Sequence, residues 1–324
     1  MPYPISYSLP PPWFSIPPKI NTELLNLPKS NTPPSILKSA FNALINGYPN
    51  FILCFTDGSK IENSVGCAYS ILNENFKIKL NNINSTYSAE LIAILKCLEH
   101  IIAKNHPNYL IVTDSLSALL GLTNIYSNHP IIKKIQSVLH TLQNSPASKN
   151  VEFVWVPSHV GIDGNEEIDK SAKEATISPD LVLDNCIPKH DVKAFIKTVA
   201  NKKWSQDWEQ QGGSKLRMIK TEVKPWKSSN RGNRREEIVL TRLRIGHCRL
   251  THSYLFTNSY PPLCSFCDQH TLTVQHLLSE CAALSEKREQ LKMPTALKDI
   301  LEDNTDSCDS VIRFVQLIQM YSLI

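Results

Sequence analysis

The sequence lacks several things, and each absence narrows what it encodes. No stretch of its 324 residues is long enough and apolar enough to cross a bilayer as a helix. The opening residues, MPYPISYSLPPPWFSIPP, have neither a basic segment nor an apolar one, so they do not read as a secretory signal. The expectation is an intracellular chain, nuclear or cytoplasmic and not secreted. In that setting the nine cysteines are free thiols or metal ligands rather than disulfides. No internal repeat is present, which excludes a solenoid.

The total charge is also unremarkable, at +4, but its distribution is not. Residues 51–177 carry 10 Lys and Arg against 12 Asp and Glu, a net of −2. Residues 201–250 carry 13 against 5, a net of +8. An acidic block followed by a basic one suggests a cation-binding centre joined to a polyanion-binding region.

Residues 1–47 are rich in Pro, Ser and Asn and read as an extended linker, with a short helix over 35–45. Residues 48–178 form the next unit. Apolar runs at 51–58, 65–72, 76–81, 109–114 and 151–156 read as strands. Helical periodicity is expected over 86–104, 115–126, 131–143 and 165–177, the first capped by Thr86 or Ser88, with Leu91, Ile94, Leu95 and Leu98 on one face. The order β-β-β-α-β-α-α-β-α implies an α/β fold, a mixed sheet flanked by helices. Residues 179–324 read as a mainly helical region. Phe195, Val199, Trp204 and Trp208 are expected to anchor its first helix.

The stretch FILCFTDGSK, residues 51–60, puts a carboxylate, Asp57, at the end of an apolar strand beside a Gly58 turn. A buried carboxylate is costly unless paired, hydrogen-bonded or metal-bound. Three more acids stand at element boundaries: Glu90 and Asp169 in the first turns of helices, and Asp114 at a strand end, where it is placed to cap the next helix. Four carboxylates at one sheet edge repel one another and make sense around divalent cations, Mg²⁺ or Mn²⁺. His159, on a Gly-containing loop ten residues before Asp169, is suited to carrying protons.

The segments TDGS, SAE, TDS and WVPSHVGIDGNEEIDKSAKEA resemble type 1 ribonuclease H over about residues 50–177. The resemblance implies a five-stranded mixed sheet, the acid quartet Asp57, Glu90, Asp114 and Asp169, an auxiliary His159 and two Mg²⁺ ions. It implies two-metal cleavage of the RNA strand of an RNA–DNA hybrid, leaving 5′-phosphate products. An inactive nucleic-acid-binding module of the same fold is the alternative. Two departures stand out. Ile168 precedes Asp169 where Ala is usual, and Tyr126–Pro130 joins two helices directly where some members carry a basic helical protrusion.

Cys264-x2-Cys267-x8-His276-x4-Cys281 has the ligand types and spacing of a structural zinc knuckle. Lys203–Trp208, Arg242–His252 and Pro262–Cys281 resemble the region that follows ribonuclease H in polyproteins of non-LTR retrotransposons, and the segment 11–60 resembles the linker before it. No Tyr-x-Asp-Asp polymerase motif occurs, so the chain resembles the C-terminal part of such a polyprotein, with a reverse transcriptase as a partner in trans. Lys215, Arg217, Lys220, Lys224, Lys227, Arg231, Arg234, Arg235, Arg242, Arg244 and Arg249, with Trp226 among them, are expected to hold the hybrid in place of the missing protrusion.

Overall fold

A computed structural model describes residues 17–324. The chain divides into two compact units, one ending at Ile196 and the other spanning Lys197–Ile324.

The first unit contains β1 (Lys19–Asn21), α1 (Pro34–Ile45), β2 (Ile52–Ile61), β3 (Ser64–Ile71), β4 (Glu74–Leu80), α2 (Thr86–Ile102), β5 (Asn108–Thr113), α3 (Leu116–Thr123), α4 (Pro130–Asn144), β6 (Asn150–Trp155), α5 (Asp163–Ile177) and β7 (Leu183–Asp184). The strands form one mixed sheet in the order β1-β6-β5-β2-β3-β4-β7. β2, β3 and β4 make an antiparallel meander, while β5, β6 and β1 add in parallel and β7 runs parallel to β4. The five strands expected from sequence are all present. The two additional strands are edge pieces of three and two residues, too short to carry a period-2 signal.

The sheet is covered on both faces, and the alternation along β5 shows it. Tyr109 and Ile111 face α2 and α4, packing with Leu91, Leu98, Ile135 and Leu139. Leu110 and Val112 face the other way, with Leu37 and Phe41 of α1 and Val154 of β6. Residues 17–47, expected to be a linker, therefore supply part of this core: Leu24 and Leu37 are buried in it. Residues 1–16 of the expected linker lie outside the described residues.

α2 is the central helix, buried nearly all round rather than on one face. Its N-cap is Ser85, not Thr86 or Ser88, and the Ser85 hydroxyl accepts from the Ser88 amide. At its other end the buried Lys149 ammonium donates to the carbonyls of Ile101, Ile102 and Lys104. It thereby satisfies the helix's unpaired acceptors and its negative pole.

α6 (Lys189–Gln210) runs across the division between the units. Its expected anchors are not buried. Phe195, Val199 and Trp204 are 44%, 50% and 60% exposed, and only Trp208 is tied down, through Nε1 donating to the Lys220 carbonyl. The second unit continues with α7 (Lys215–Ile219), α8 (Arg234–Ile245), α9 (Arg249–His252), α10 (Tyr254–Thr257), α11 (Ser285–Gln290), α12 (Leu297–Ile300) and α13 (Thr305–Leu317). Its core joins Val239, Leu240 and Leu243 of α8 to Val311, Phe314 and Val315 of α13, with Cys264 and Cys281 among them. No helix is long and apolar enough to cross a membrane among the described residues.

Candidate active site

The acids converge because of how β2 meets α2. Asp57 lies within β2, opposite Ala68 of β3, and the strand continues to Ile61 rather than ending at the acid. Gly58 is likewise a strand residue, not a turn. Its importance is close packing: a Cβ there would lie 2.4 Å from the Glu90 amide nitrogen and 2.6 Å from the Ala89 carbonyl carbon. Only glycine lets the start of α2 approach the strand this closely. That approach delivers Glu90, from the second turn of α2, to Asp57.

Asp114 follows the last residue of β5. The N-cap position of α3 belongs to Ser115, so Asp114 does not cap that helix as expected from sequence. The Asn165 side chain on α5 hydrogen-bonds the Asp114 carboxylate instead. One carboxylate oxygen from each of Asp57, Glu90 and Asp114 falls within 4.8 Å of the others. Asp57 and Glu90 are buried, at 6% and 7% exposure.

This crowding resists ionisation. Burial, then the charges of Asp114 and Asp169, push the Asp57 carboxyl up to about 7, against a hydrogen bond from the Gly58 backbone. Burial, then Asp57 and Asp114, hold Glu90 well above the usual carboxylate range. Asp114 is raised by burial, opposed by its bond from Asn165. Glu90 Oε2 is fully buried and has no hydrogen-bond partner. A buried acceptor without a donor is costly. Three carboxylates that offer hard oxygen donors, one of them with an unsatisfied oxygen, fit Mg²⁺ or Mn²⁺, which would supply the missing positive charge.

Asp169 stands in the second turn of α5, not the first, and belongs to a neighbouring group with His159 and Glu166. Its charge reaches Asp57, and its Oδ2 pairs with Lys173 Nζ at 2.6 Å. His159 Nδ1 lies 3.9 Å from Asp169 Oδ2 and 3.7 Å from Glu166 Oε2. Glu166 also accepts from the Gly161 amide at 3.1 Å, bracing the loop that carries His159. His159 itself has a left-handed backbone, φ +51°. The sequence reading left out Glu166; the available signal was its place one helical turn before Asp169. Gly164, at the start of α5, admits the Phe55 ring, which a Cβ would meet at 2.4 Å.

In the second unit, one donor atom from each of Cys264, Cys267, His276 and Cys281 lies within 4.8 Å of the others. The Cys264 and Cys281 sulfurs are 3.8 Å apart, and Cys267 Sγ is 3.5 Å from His276 Nε2. Tetrahedral zinc with its usual bond lengths requires edges of about 3.8 Å for two sulfurs and about 3.5 Å for sulfur and nitrogen. Two of the six edges thus match a zinc tetrahedron, and the four side chains could hold a metal ion. His276 Nδ1 lies 4.0 Å from Glu280 Oε2, a carboxylate placed to orient the ring.

The expected hybrid-holding surface is largely engaged internally. Arg244 is buried and donates to Ser228 Oγ and to the carbonyls of Leu301 and Glu302. Its guanidinium covers the Trp226 ring at 3.7 Å, so that ring is not open for base stacking. Arg231 pairs with Glu236 and Asp309, Arg234 with Glu237, and Arg235 donates to the Tyr321 and Ser322 carbonyls.

A buried carboxylate cluster beside the central strands of a mixed sheet is a ligand set that metal-assisted phosphodiester hydrolysis can use. Compared with protein families, the model described as RNase H matches residues 49–177, less than half of the chain. The match supports a nuclease-type hydrolase domain and coincides with the segment that carries all five acid-site residues anticipated from sequence.

Proposed function

We propose that this protein is a metal-dependent endoribonuclease that cleaves the RNA strand of RNA–DNA hybrids and leaves 5′-phosphate ends. The observation that carries the reading is the partnerless, buried Glu90 Oε2 among Asp57 and Asp114, inside a segment matched by the RNase H family model. Asp57, Glu90, Asp114 and Asp169 would hold two Mg²⁺ ions, with Mn²⁺ as a substitute. When bound, the ions supply an activated water and neutralise charge at the scissile phosphate.

The remaining roles fall to this chain's own groups. The Gly58 backbone and Asn165 orient the carboxylates. His159 is exposed beside Asp169 and is placed to pass a proton to and from solvent. Glu166 fixes its loop. Lys173 holds one Asp169 oxygen until cations compete for it. Choice of RNA over DNA rests on the 2′-OH. In the second unit, Cys264, Cys267, His276 and Cys281 form a closed site for structural zinc. The motifs around both sites support an origin in a non-LTR retrotransposon polyprotein, with a reverse transcriptase acting in trans.

The test is cleavage of an RNA–DNA hybrid, labelled on the RNA strand, by the full chain and by Asp114→Asn. RNA cleavage that requires Mg²⁺ or Mn²⁺ and drops by at least about a hundredfold in the variant is expected. An intact, folded chain that leaves the RNA uncut with either ion, yet binds the hybrid, would establish the non-catalytic alternative.

A further inference from the structure

The residues from the end of α8 to α10 enclose a cavity of about 590 Å³ in the second unit. Its lining combines two kinds of group. Arg242 and Arg249 are cationic, His247 and His252 bring imidazole rings, and Leu255 and Phe256 are apolar. No carboxylate side chain lines it among the described residues. Burial, then His247 and Lys215, hold the His252 imidazole below its ordinary value, so it serves as a neutral ring.

The rings are arranged as a platform. The His247 and His252 centroids are 3.7 Å apart with planes tilted by 33°. Tyr254 continues the series, 6.0 Å from His252 and 28° from parallel. Thr251 Oγ1 fixes the His252 ring through Nδ1 at 2.7 Å. At the rim Phe256 is 93% exposed and Leu255 61%. An aromatic ring left almost wholly in water gains nothing from the fold. Arg242 donates to the Ile324 carbonyl, which steadies it at the cavity wall. Arg249 has no ion-pair partner among the described residues and is exposed.

We infer that this cavity binds a single-stranded segment of nucleic acid, with phosphates on Arg249 and bases stacked on the imidazole platform and Phe256. Charge complementarity selects a polyanion, and the open rings select unpaired bases. A duplex buries its base faces against one another and has none to offer Phe256, whereas single strands stack on aromatic side chains without sequence preference. The inference concerns a surface apart from the carboxylate cluster and does not depend on cleavage.

The experiment is fluorescence anisotropy of a short labelled oligouridylate with the full chain, titrated at several salt concentrations. The variants are Phe256→Ala, Arg249→Glu and, as a reference, Gly232→Ala, where an added Cβ meets nothing within 4 Å. Phe256→Ala should weaken binding about tenfold, the loss of one stacked base. Arg249→Glu should weaken it and make the salt dependence shallower by roughly the 0.7 of one single-strand phosphate contact. Gly232→Ala should bind as the parent does. Both cavity substitutions are at exposed positions, and unchanged thermal melts will confirm that they fold. Absence of oligouridylate binding by the parent, or equal affinity in the parent and both cavity variants, overturns the inference. So does a loss confined to duplex hybrid, which would make the surface a helix-binding one.

Discussion

Gly58→Ala tests whether the acid cluster is built by close approach of α2 to β2. The added methyl would lie 2.4 Å from the Glu90 nitrogen, 2.6 Å from the Ala89 carbonyl carbon and 2.9 Å from the Ala89 Cβ. Two of these atoms are backbone, so no flexible side chain can swing aside. The first turns of α2 must move away from the strand, in a helix packed nearly all round. Overpacking of this kind costs about 1–3 kcal/mol, and rigid backbone neighbours put the expectation near 3. Alanine recovers some stability by restricting the unfolded chain, about 0.4–1 kcal/mol. The net loss of about 2 kcal/mol corresponds to roughly 4–8 °C for a unit of this size. Glu90 would shift with the helix, so hybrid cleavage should fall further than the lost stability accounts for. The assay is a thermal melt by circular dichroism, paired with the cleavage assay. Gly232→Ala is the control, since a Cβ there meets nothing within 4 Å. A Gly58→Ala protein that melts within about a degree of the parent would refute the reasoning.

The remaining predictions concern charge and metal. Asp57 and Glu90 are raised above their unfolded values, so in Mg²⁺-free buffer the folded state holds more protons than the unfolded one between about pH 4 and 7. Stability should therefore fall as pH rises through that window, and Asp57→Asn should flatten the fall and melt higher than the parent at pH 7. Saturating Mg²⁺ should remove the variant's advantage; a variant that melts lower at pH 7 without Mg²⁺ contradicts the site's electrostatics. The Cys264–Cys281 cluster should retain one zinc per chain on purification, measured by elemental analysis. Phenanthroline or Cys281→Ser should abolish cooperative melting of the second unit while the first still melts. Metal-free protein that melts unchanged would remove zinc from the account.

How much was legible in advance depended on whether a residue's reason was local. The five long strands and the helices around them followed from period-2 and helical patterning over consecutive residues. Asp57, Glu90 and Asp114 could be grouped because each lies beside a short polar or small residue and reads locally as an element boundary, although Asp57 lies inside β2. Gly58 was misread because Asp-Gly is a strong local turn signal, whereas its actual reason is the backbone of α2, some 30 positions away. The α5 start at Asp163 lay two residues before the expected one, and Asp169, already the fifth residue from the expected start, stands in the second turn. The fold of residues 17–47 was hidden by composition. Proline and serine marked a linker, although Leu24, Leu37 and Phe41 carry enough apolar surface to join the core.

The basic block shows where counting charge fails. A surplus of cations in sequence measures attraction for a polyanion only if the cations are unpaired in the fold. Arg231 meets Asp309, Arg235 meets carbonyls at 321 and 322, and Arg244 meets carbonyls at 301 and 302, each partner more than 50 residues away and invisible to any local window. These arginines tie α8 to the C-terminal helices, so their removal should cost stability before it costs binding. What remains for a ligand is the cationic surface that internal acceptors leave open, and at the end of α8 that surface coincides with stacked imidazoles and a phenyl ring almost wholly in water. The inferred single-strand site therefore rests on charge with exposed rings, rather than on charge alone.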